Sequence, residues 1–346
     1  MTVVVIGIDP HKNSHTATAI HATRGDLGTI RVQATRSTTK QLLVWAGQWP
    51  DRRWAIEGAA GLGRLLAQQL VACGELVVDV PALLVSKVRL LDRGHGRKTD
   101  RLDARAVAVI ALERDDLTRV GAEDHTSVLR MLADRRDELT QERRRAVNRL
   151  HRHLRDLVAG GAPIHLGAAA AGEILARIRP VGAVAIERKR VARELLGDVR
   201  RVDKTLVENR RRSVEAIAAR HTTLTDIYGI SDVLAAKIIG HVGDITRFPS
   251  SDHLASYAGT APIEASSGDV VRHRLSRRGN RQLNNAIHLA AHVQAIRPCP
   301  GNDYMKRRLA AGNSRTEAMR ALKRQITKAI YRALQADAHR ALAIAA

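Results

Sequence analysis

The chain has 346 residues, enough for two or three domains with cores of their own. Its 57 Lys and Arg against 35 Asp and Glu give a formal net charge of +22, which calls for a polyanionic partner. Two distant cysteines, Cys73 and Cys299, exclude a disulfide framework and a zinc spacing, and no apolar run is long enough to span a membrane. With only 3 Trp, 4 Tyr and 1 Phe, base stacking on aromatic platforms is excluded as the main mode of nucleic-acid binding. The N-terminus lacks the basic start and apolar core of a signal peptide, so a reducing cytoplasm is the expected compartment.

From the N-terminus, Val3–Asp9 is an apolar run ending in an acid, the pattern of a buried strand. His15–His21 and Thr29–Thr35 follow as strands, the first joined on by the turn-rich link Pro10-His11-Lys12-Asn13-Ser14. Thr39–Gln48 predicts a helix, Arg53–Glu57 a strand, Gly63–Ala72 a helix and Leu76–Val80 a strand before Pro81. A helix from about Asp100 to Leu112 closes the region. Three strands followed by alternating helix and strand is the layout of a ribonuclease H-like α/β fold.

Four carboxylates stand out in this layout. Asp9 and Glu57 end strands, and Asp100 and Asp103, three residues apart, share one face of one helical turn. Brought together they would repel unless divalent cations neutralised them. Oxygen-only ligation suits Mg²⁺ or Mn²⁺, the usual equipment of phosphodiester chemistry. Each acid also has an ordinary use: Asp9 before Pro10 as a turn residue or cap, Glu57 as a solvated strand end. Asp100 and Asp103 could simply complement a helix dipole.

Thr126–Val158 is charged and helical, with Leu132, Leu139, Ala146, Leu150, Leu154 and Leu157 at near-heptad spacing. Pro163 and a Gly- and Ala-rich run over 160–172 interrupt it. A second helix resumes near Ile186 with Leu195, Val199, Val202, Leu206, Val214 and Ile217. The two can form an antiparallel hairpin or pair with another protomer. Arg143-Arg144-Arg145 and Arg210-Arg211-Arg212 are candidate nucleic-acid contacts, or solvated faces.

Leu224–Val242 predicts two short helices around Tyr228-Gly229-Ile230-Ser231, like a helix-hairpin-helix element that grips a phosphate through backbone amides. Ser231 stands where that motif has a second glycine, so a structural αα-hairpin is the alternative. Asn302–Leu334 predicts two more helices with an apolar stripe and a basic outer face. Residues 269–346 hold 16 basic and 4 acidic side chains, so the positive charge gathers away from the four acids.

Gly7-Ile8-Asp9, Ile56-Glu57-Gly58 and Lys98-Thr99-Asp100-Arg101-Leu102-Asp103-Ala104 together resemble the N-terminal domain of the DEDD-type transposases. These are insertion-sequence recombinases whose front domain is similar to the RuvC Holliday-junction resolvase. Gly243-Asp244-Ile245, Arg247-Phe248, Leu254-Ala255-Ser256-Tyr257-Ala258-Gly259, Ser266-Ser267-Gly268 and Ser276-Arg277-Arg278-Gly279-Asn280-Arg281 resemble the same family's C-terminal domain. Thr260 departs from it, at a position more often aliphatic.

The resemblance implies that Asp9, Glu57, Asp100 and Asp103 bind Mg²⁺ or Mn²⁺ and that Ser267 is the nucleophile, with Ser266 its competitor. Lys12 matches a family habit. Arg272, Arg274, Arg277, Arg278 and Arg281 would neutralise the scissile phosphate or hold the backbone. Three parts are implied: a RuvC-like catalytic domain over 1–122, a coiled-coil arm over 123–221, and a helical C-terminal transposase domain over 222–346. Also implied are double-stranded donor and target DNA, a structured guide RNA encoded by the element, and a bacterial cytoplasmic setting at the nucleoid. A homodimer or homotetramer with composite sites would favour pairing of the long helices between protomers. Two other functions fit the residues. A hydrolytic, structure-specific nuclease needs the acids but not Ser267, and a noncatalytic nucleic-acid-binding protein needs only the basic surface.

Overall fold

Val4–Pro10 (β1) is buried from end to end, because its apolar side chains are covered on both faces of a sheet. It pairs antiparallel with Ser14–Ile20 (β2), which pairs antiparallel with Asp26–Gln33 (β3). Thr38–Ala46 (α1) leads to Arg52–Glu57 (β4), parallel to β1, and Arg64–Ala72 (α2) leads to Val77–Val80 (β5), parallel to β4. Ala82–Leu91 (α3), Asp100–Glu113 (α4) and Thr118–Arg119 (β6) complete this part. The sheet order is β3-β2-β1-β4-β5-β6. Three antiparallel strands joined to parallel strands through helical crossovers make a ribonuclease H-like layer. The computed structural model describes residues 4–91, 99–264, 273–274 and 279–345. Contacts divide the chain into two units, Met1–Glu123 and Asp124–Ala346.

In the first unit, alternation along β1 sorts its side chains by face. Val4, Ile6 and Ile8 pack with Leu42 of α1 and Leu66 and Leu70 of α2. Val5, on the other side, packs with Val107, Ala108 and Ala111 of α4. Two elements differ from the sequence expectation. α3 lies in a stretch assigned no element, and β6 is too short to show a period. β3 also starts at Asp26, earlier than Thr29, because Thr29 Oγ1 sits 3.1 Å from Thr18 Oγ1 and the ladder continues past that pair.

The second unit is nearly all helical. His125–Arg155 (α5), Ala168–Arg177 (α6) and Ala183–Ala218 (α7) are followed by a 3-10 turn at Thr223–Asp226 and then Asp232–Val242 (α8). After a second 3-10 turn come Ser251–Tyr257 (α9), the two-residue strands Ile263–Glu264 (β7) and His273–Arg274 (β8), Arg281–Ile296 (α10), Pro300–Ala310 (α11) and Arg315–Ala345 (α12). Leu283, Ile287, Leu322, Ile326 and Ile330 build one core with Ile238 and Ile239 of α8.

The expected pairing of long helices between protomers is not what buries the leucine stripe: α5 and α7 pack antiparallel within the chain. Asn209 Nδ2 donates to Leu132 O at 3.0 Å, Arg136 Nη1 to Leu206 O at 3.3 Å and Arg143 Nε to Asp203 Oδ1 at 2.5 Å. Leu139, Leu150 and Leu154 are buried by this seam and by α6. The Ala-rich run expected to be a breaker ends inside α6, since Ala168–Ala171 are strong helix formers once past Gly167. Ion pairs occupy Arg143 (to Asp203) and Arg211 (to Glu208 and Glu215), which leaves those two less available to phosphates.

The helix-hairpin-helix-like element has a single 3-10 turn where a first helix was expected. Its Gly229, at φ +84°, lies against α10, where an added Cβ would stand 3.0 Å from Ala290 O, and Tyr228 O accepts from Gln294 Nε2 at 2.7 Å. The departure at Thr260 has a local reason: its buried hydroxyl pairs with Thr327 Oγ1 at 2.9 Å.

Candidate metal site

Asp9 is the next-to-last residue of β1 and, like Val5 and Gly7, lies on the α4 side of the sheet. Gly7 sets how closely that helix approaches: a Cβ there would fall 2.2 Å from Ala104 O and 2.4 Å from Ala108 N. Glu57 ends β4 one residue past Ile56, which is opposite Ile8, so the two acids are neighbours at the ends of parallel strands. Thr99 caps α4 by accepting the Leu102 N–H at 3.3 Å, which puts Asp100 and Asp103 in the first turn. Asp103 is buried against the sheet and Asp100 is partly open.

The tight cluster is Asp9, His11 and Asp100, whose ligand atoms all lie within 4.8 Å of one another. His11 Nδ1 is 3.5 Å from Asp9 Oδ2, and its Nε2 is 3.9 Å from Asp100 Oδ1. Arg31 reaches the same acid, with Nη2 3.6 Å from Asp100 Oδ2, and also donates to Ser14 Oγ at 3.1 Å. Glu57 and Asp103 belong to the same strand end and helix turn, outside that 4.8 Å group. Two carboxylates and an imidazole suit a divalent cation of hard or borderline character.

His11 is the residue that sequence analysis did not assign to the site. Its signal was positional: it follows Asp9 by two in a tight turn whose His11 N–H donates to Ser14 O at 2.9 Å. The neighbouring His15 is held below its ordinary pKa by burial and by His11, which favours a neutral ring beside the cluster.

Ser267 and Ser266 lie outside the described residues, as do Lys98, Arg272, Arg277 and Arg278. The base of the segment that carries Ser267 is described. Gly259, at φ +66°, lies so close to Gly279 that a Cβ on Gly279 would stand 2.4 Å from Gly259 N. Asn280 N donates to Tyr257 O at 2.6 Å, and its Nδ2 to Tyr257 Oη at 3.0 Å. Asn284 Nδ2 donates to Ala258 O at 2.8 Å, while Lys323 Nζ, from α12, donates to Asn284 Oδ1 at 2.6 Å.

Residues 6–158 match the IS110-type DEDD transposase family, and residues 221–306 match the transposase family IS116/IS110/IS902. This chain belongs to the IS110/IS116/IS902 family of transposases. The first match takes in Asp9, Glu57, Asp100 and Asp103, and the second takes in the Gly259–Gly279 contact. The transposase is 27% identical to the insertion element IS116 uncharacterized 44.8 kDa protein of Streptomyces clavuligerus, over 95% of this chain and 94% of that one. It is likewise 27% identical to the insertion element IS900 uncharacterized 42 kDa protein of Mycobacterium paratuberculosis, over 95% of each. The mini-circle putative transposase for IS117 of Streptomyces coelicolor is 31% identical over 42% of this chain and 37% of its own. Among solved structures, T. thermophilus RuvC in complex with a Holliday junction substrate matches 34% of this chain and 99% of its own, at 17% identity and a TM-score of 0.28. As a transposase, the protein is an enzyme that acts on DNA.

Proposed function

We propose that this transposase cuts and rejoins DNA at a divalent-metal site held by Asp9, Glu57, Asp100 and Asp103, with Ser267 as the nucleophile. The observation that carries the metal half is the approach of Asp9 and Asp100, from β1 and α4, to within 4.8 Å of each other and of His11. Carboxylates so close disfavour one another unless a cation joins them, so the donor set fits Mg²⁺ or Mn²⁺. Bound there, the ion supplies Lewis acidity that stabilises charge on phosphoryl oxygens and lowers the pKa of a hydroxyl.

The chain's own residues then have distinct tasks. Asp9 and Asp103, buried, give the site a fixed floor, and Asp100 and His11 form its open side. Ser267 Oγ attacks phosphorus and forms a phosphoserine ester; the bridging P–O bond breaks and the departing strand leaves as an alcohol, taking up the proton that serine gave up. Attack by a second strand's hydroxyl on that ester reverses the step and reseals DNA, so no bond energy is lost. Arginines around Ser267 offset the charge of the scissile phosphate.

In this reading residues 1–122 hold metal, 123–221 form the arm and 222–346 carry the nucleophile, with protomers completing one another's sites in a homodimer or homotetramer. A structured guide RNA chooses the sites. It is implied by the family resemblance, and a charge of +22 with eight aromatic residues fits a protein that holds backbones while pairing reads sequence.

The test is covalent trapping. Transposase, element-end RNA, donor and target DNA and Mg²⁺ are incubated, denatured and searched for a DNA-linked peptide. An adduct on Ser267 that disappears in Ser267→Ala and without Mg²⁺ is expected. Cleaved DNA with no adduct would mean a hydrolytic nuclease instead.

A further inference from the structure

On the α1 and α2 side of the sheet, the face opposite Asp9, a hollow of about 470 Å³ is lined by His11, Lys12, His15, Arg36, Leu65 and Gln69. A second hollow of about 620 Å³ shares Arg36 and Gln69 with it and continues past Lys40, Val44 and Cys73. The two therefore adjoin at Arg36 and Gln69, and together they make a groove that starts at His11, the residue between Asp9 and Asp100, and runs outward along α1 and α2. Its charge is one-sided: among the described residues Lys12, Arg36 and Lys40 line it, and no acid does. Elsewhere in this unit the arginines are largely taken up by carboxylates, as in Arg24 with Glu113, Arg52 with Glu75, Arg64 with Glu123 and Arg105 with Asp26. Among the described residues, the three groove cations have no such ion pair. Between the cations the walls expose apolar side chains, with Leu62 62%, Leu65 72% and Val44 74% accessible.

We propose that this groove holds a single-stranded segment of the DNA on which the acids act, with phosphates on Arg36 and Lys40 and unpaired bases against Leu65 and Val44. A duplex hides its base faces in the stack and leaves those apolar walls wet, whereas an unpaired strand covers both kinds of surface at once. A protein partner of matching chemistry would need acidic and apolar groups alternating on a narrow ridge. DNA is favoured because the groove reaches His11, whose ring stands 3.5 Å from Asp9, in an enzyme that acts on DNA. The inference rests on the metal-site reading above for where the strand leads, but binding to the groove needs no metal and no cleavage.

The native thiol Cys73, exposed in the outer hollow, reports occupancy directly. The full chain, without metal, is saturated with an oligothymidine of about 16 nucleotides, saturation being followed by fluorescence anisotropy, and Cys73 alkylation by a maleimide is timed by peptide mass spectrometry. The oligothymidine is expected to slow alkylation several-fold, and the Arg36→Ala/Lys40→Ala double variant to lose that protection. A Lys87→Ala/Arg119→Ala control, which removes two cations outside the groove, should keep it. Unchanged alkylation at saturation, or equal loss in both double variants, overturns the proposal, as does protection by duplex DNA or RNA alone. An Asp9→Asn variant that no longer cuts DNA but still shows protection separates this inference from the fate of the metal-site reading.

Discussion

Gly7 lies directly beneath Ala104, so close that a methyl group on Gly7 would stand 2.2 Å from the Ala104 carbonyl oxygen. Gly7 is thus the point where α4 crosses β1, two residues before Asp9, and the same methyl would stand 2.4 Å from Ala108 N, with Ala104 itself following Asp103. Both contacting atoms are backbone, and neither can rotate away. Gly7→Ala is therefore expected to cost about 3 kcal/mol and to push Asp100 and Asp103 away from Asp9. Urea unfolding and Mn²⁺ titration would both register it; unchanged stability would count against the packing described.

Removing an acid and removing the imidazole should have unequal effects on metal. Asp9→Asn is expected to abolish strand cleavage and most Mn²⁺ binding, with the far-UV circular dichroism retained. His11→Gln, which keeps a polar group but loses the ring nitrogens, is expected to weaken Mn²⁺ by about 10-fold. Titration calorimetry measures both. Wild-type affinity in His11→Gln would remove His11 from the site.

Leu150 is 1% exposed in the cluster formed by α5, α6 and α7. Leu150→Ala is expected to destabilise the protein by about 3 kcal/mol. Because the seam closes within one chain, the substitution should leave the oligomeric state unchanged by size-exclusion chromatography, whereas pairing of these helices between protomers would make it dissociate the assembly.

At the base of the Ser267 segment, Gly279→Ala would place a methyl 2.4 Å from Gly259 N and part the two ends of that segment. Strand exchange is expected to fall while Mn²⁺ affinity stays at the wild-type value. An equal loss of both would mean that the substitution acts through general unfolding.

His241, buried on α8, is held below its ordinary pKa of 6.5 by burial, with Arg130 and Lys237 adding to the shift and Asp134 and Asp137 opposing it. Its Nε2 lies 3.2 Å from Asp134 Oδ1. As pH falls through 6.5 the unfolded chain takes up a proton that the folded chain refuses, so stability is full above 6.5 and declines toward the lower folded value. The urea midpoint should therefore drop between about pH 7.5 and 5.5, and His241→Gln should flatten part of that slope. His15, His125 and His288 shift in the same direction, so the comparison of variant with wild type isolates His241.

The sequence by itself determined what period and spacing encode locally. The apolar run into Asp9, the strand into Glu57 and the i,i+3 pair Asp100 and Asp103 could be placed on strand ends and one helical turn without coordinates, because alternation and helical pitch are properties of adjacent residues. The leucine stripe of α5 was equally legible, but which surface it meets was not, since a heptad seam is the same whether its partner belongs to the same chain or another. Only the tertiary structure decided that, by bringing Asn209 to Leu132 and Asp203 to Arg143. Only it put His11 between Asp9 and Asp100, and only it joined the hollows around Arg36. Each of these depends on backbone approach between segments distant in sequence, such as Gly7 under Ala104, and no local pattern records such a distance.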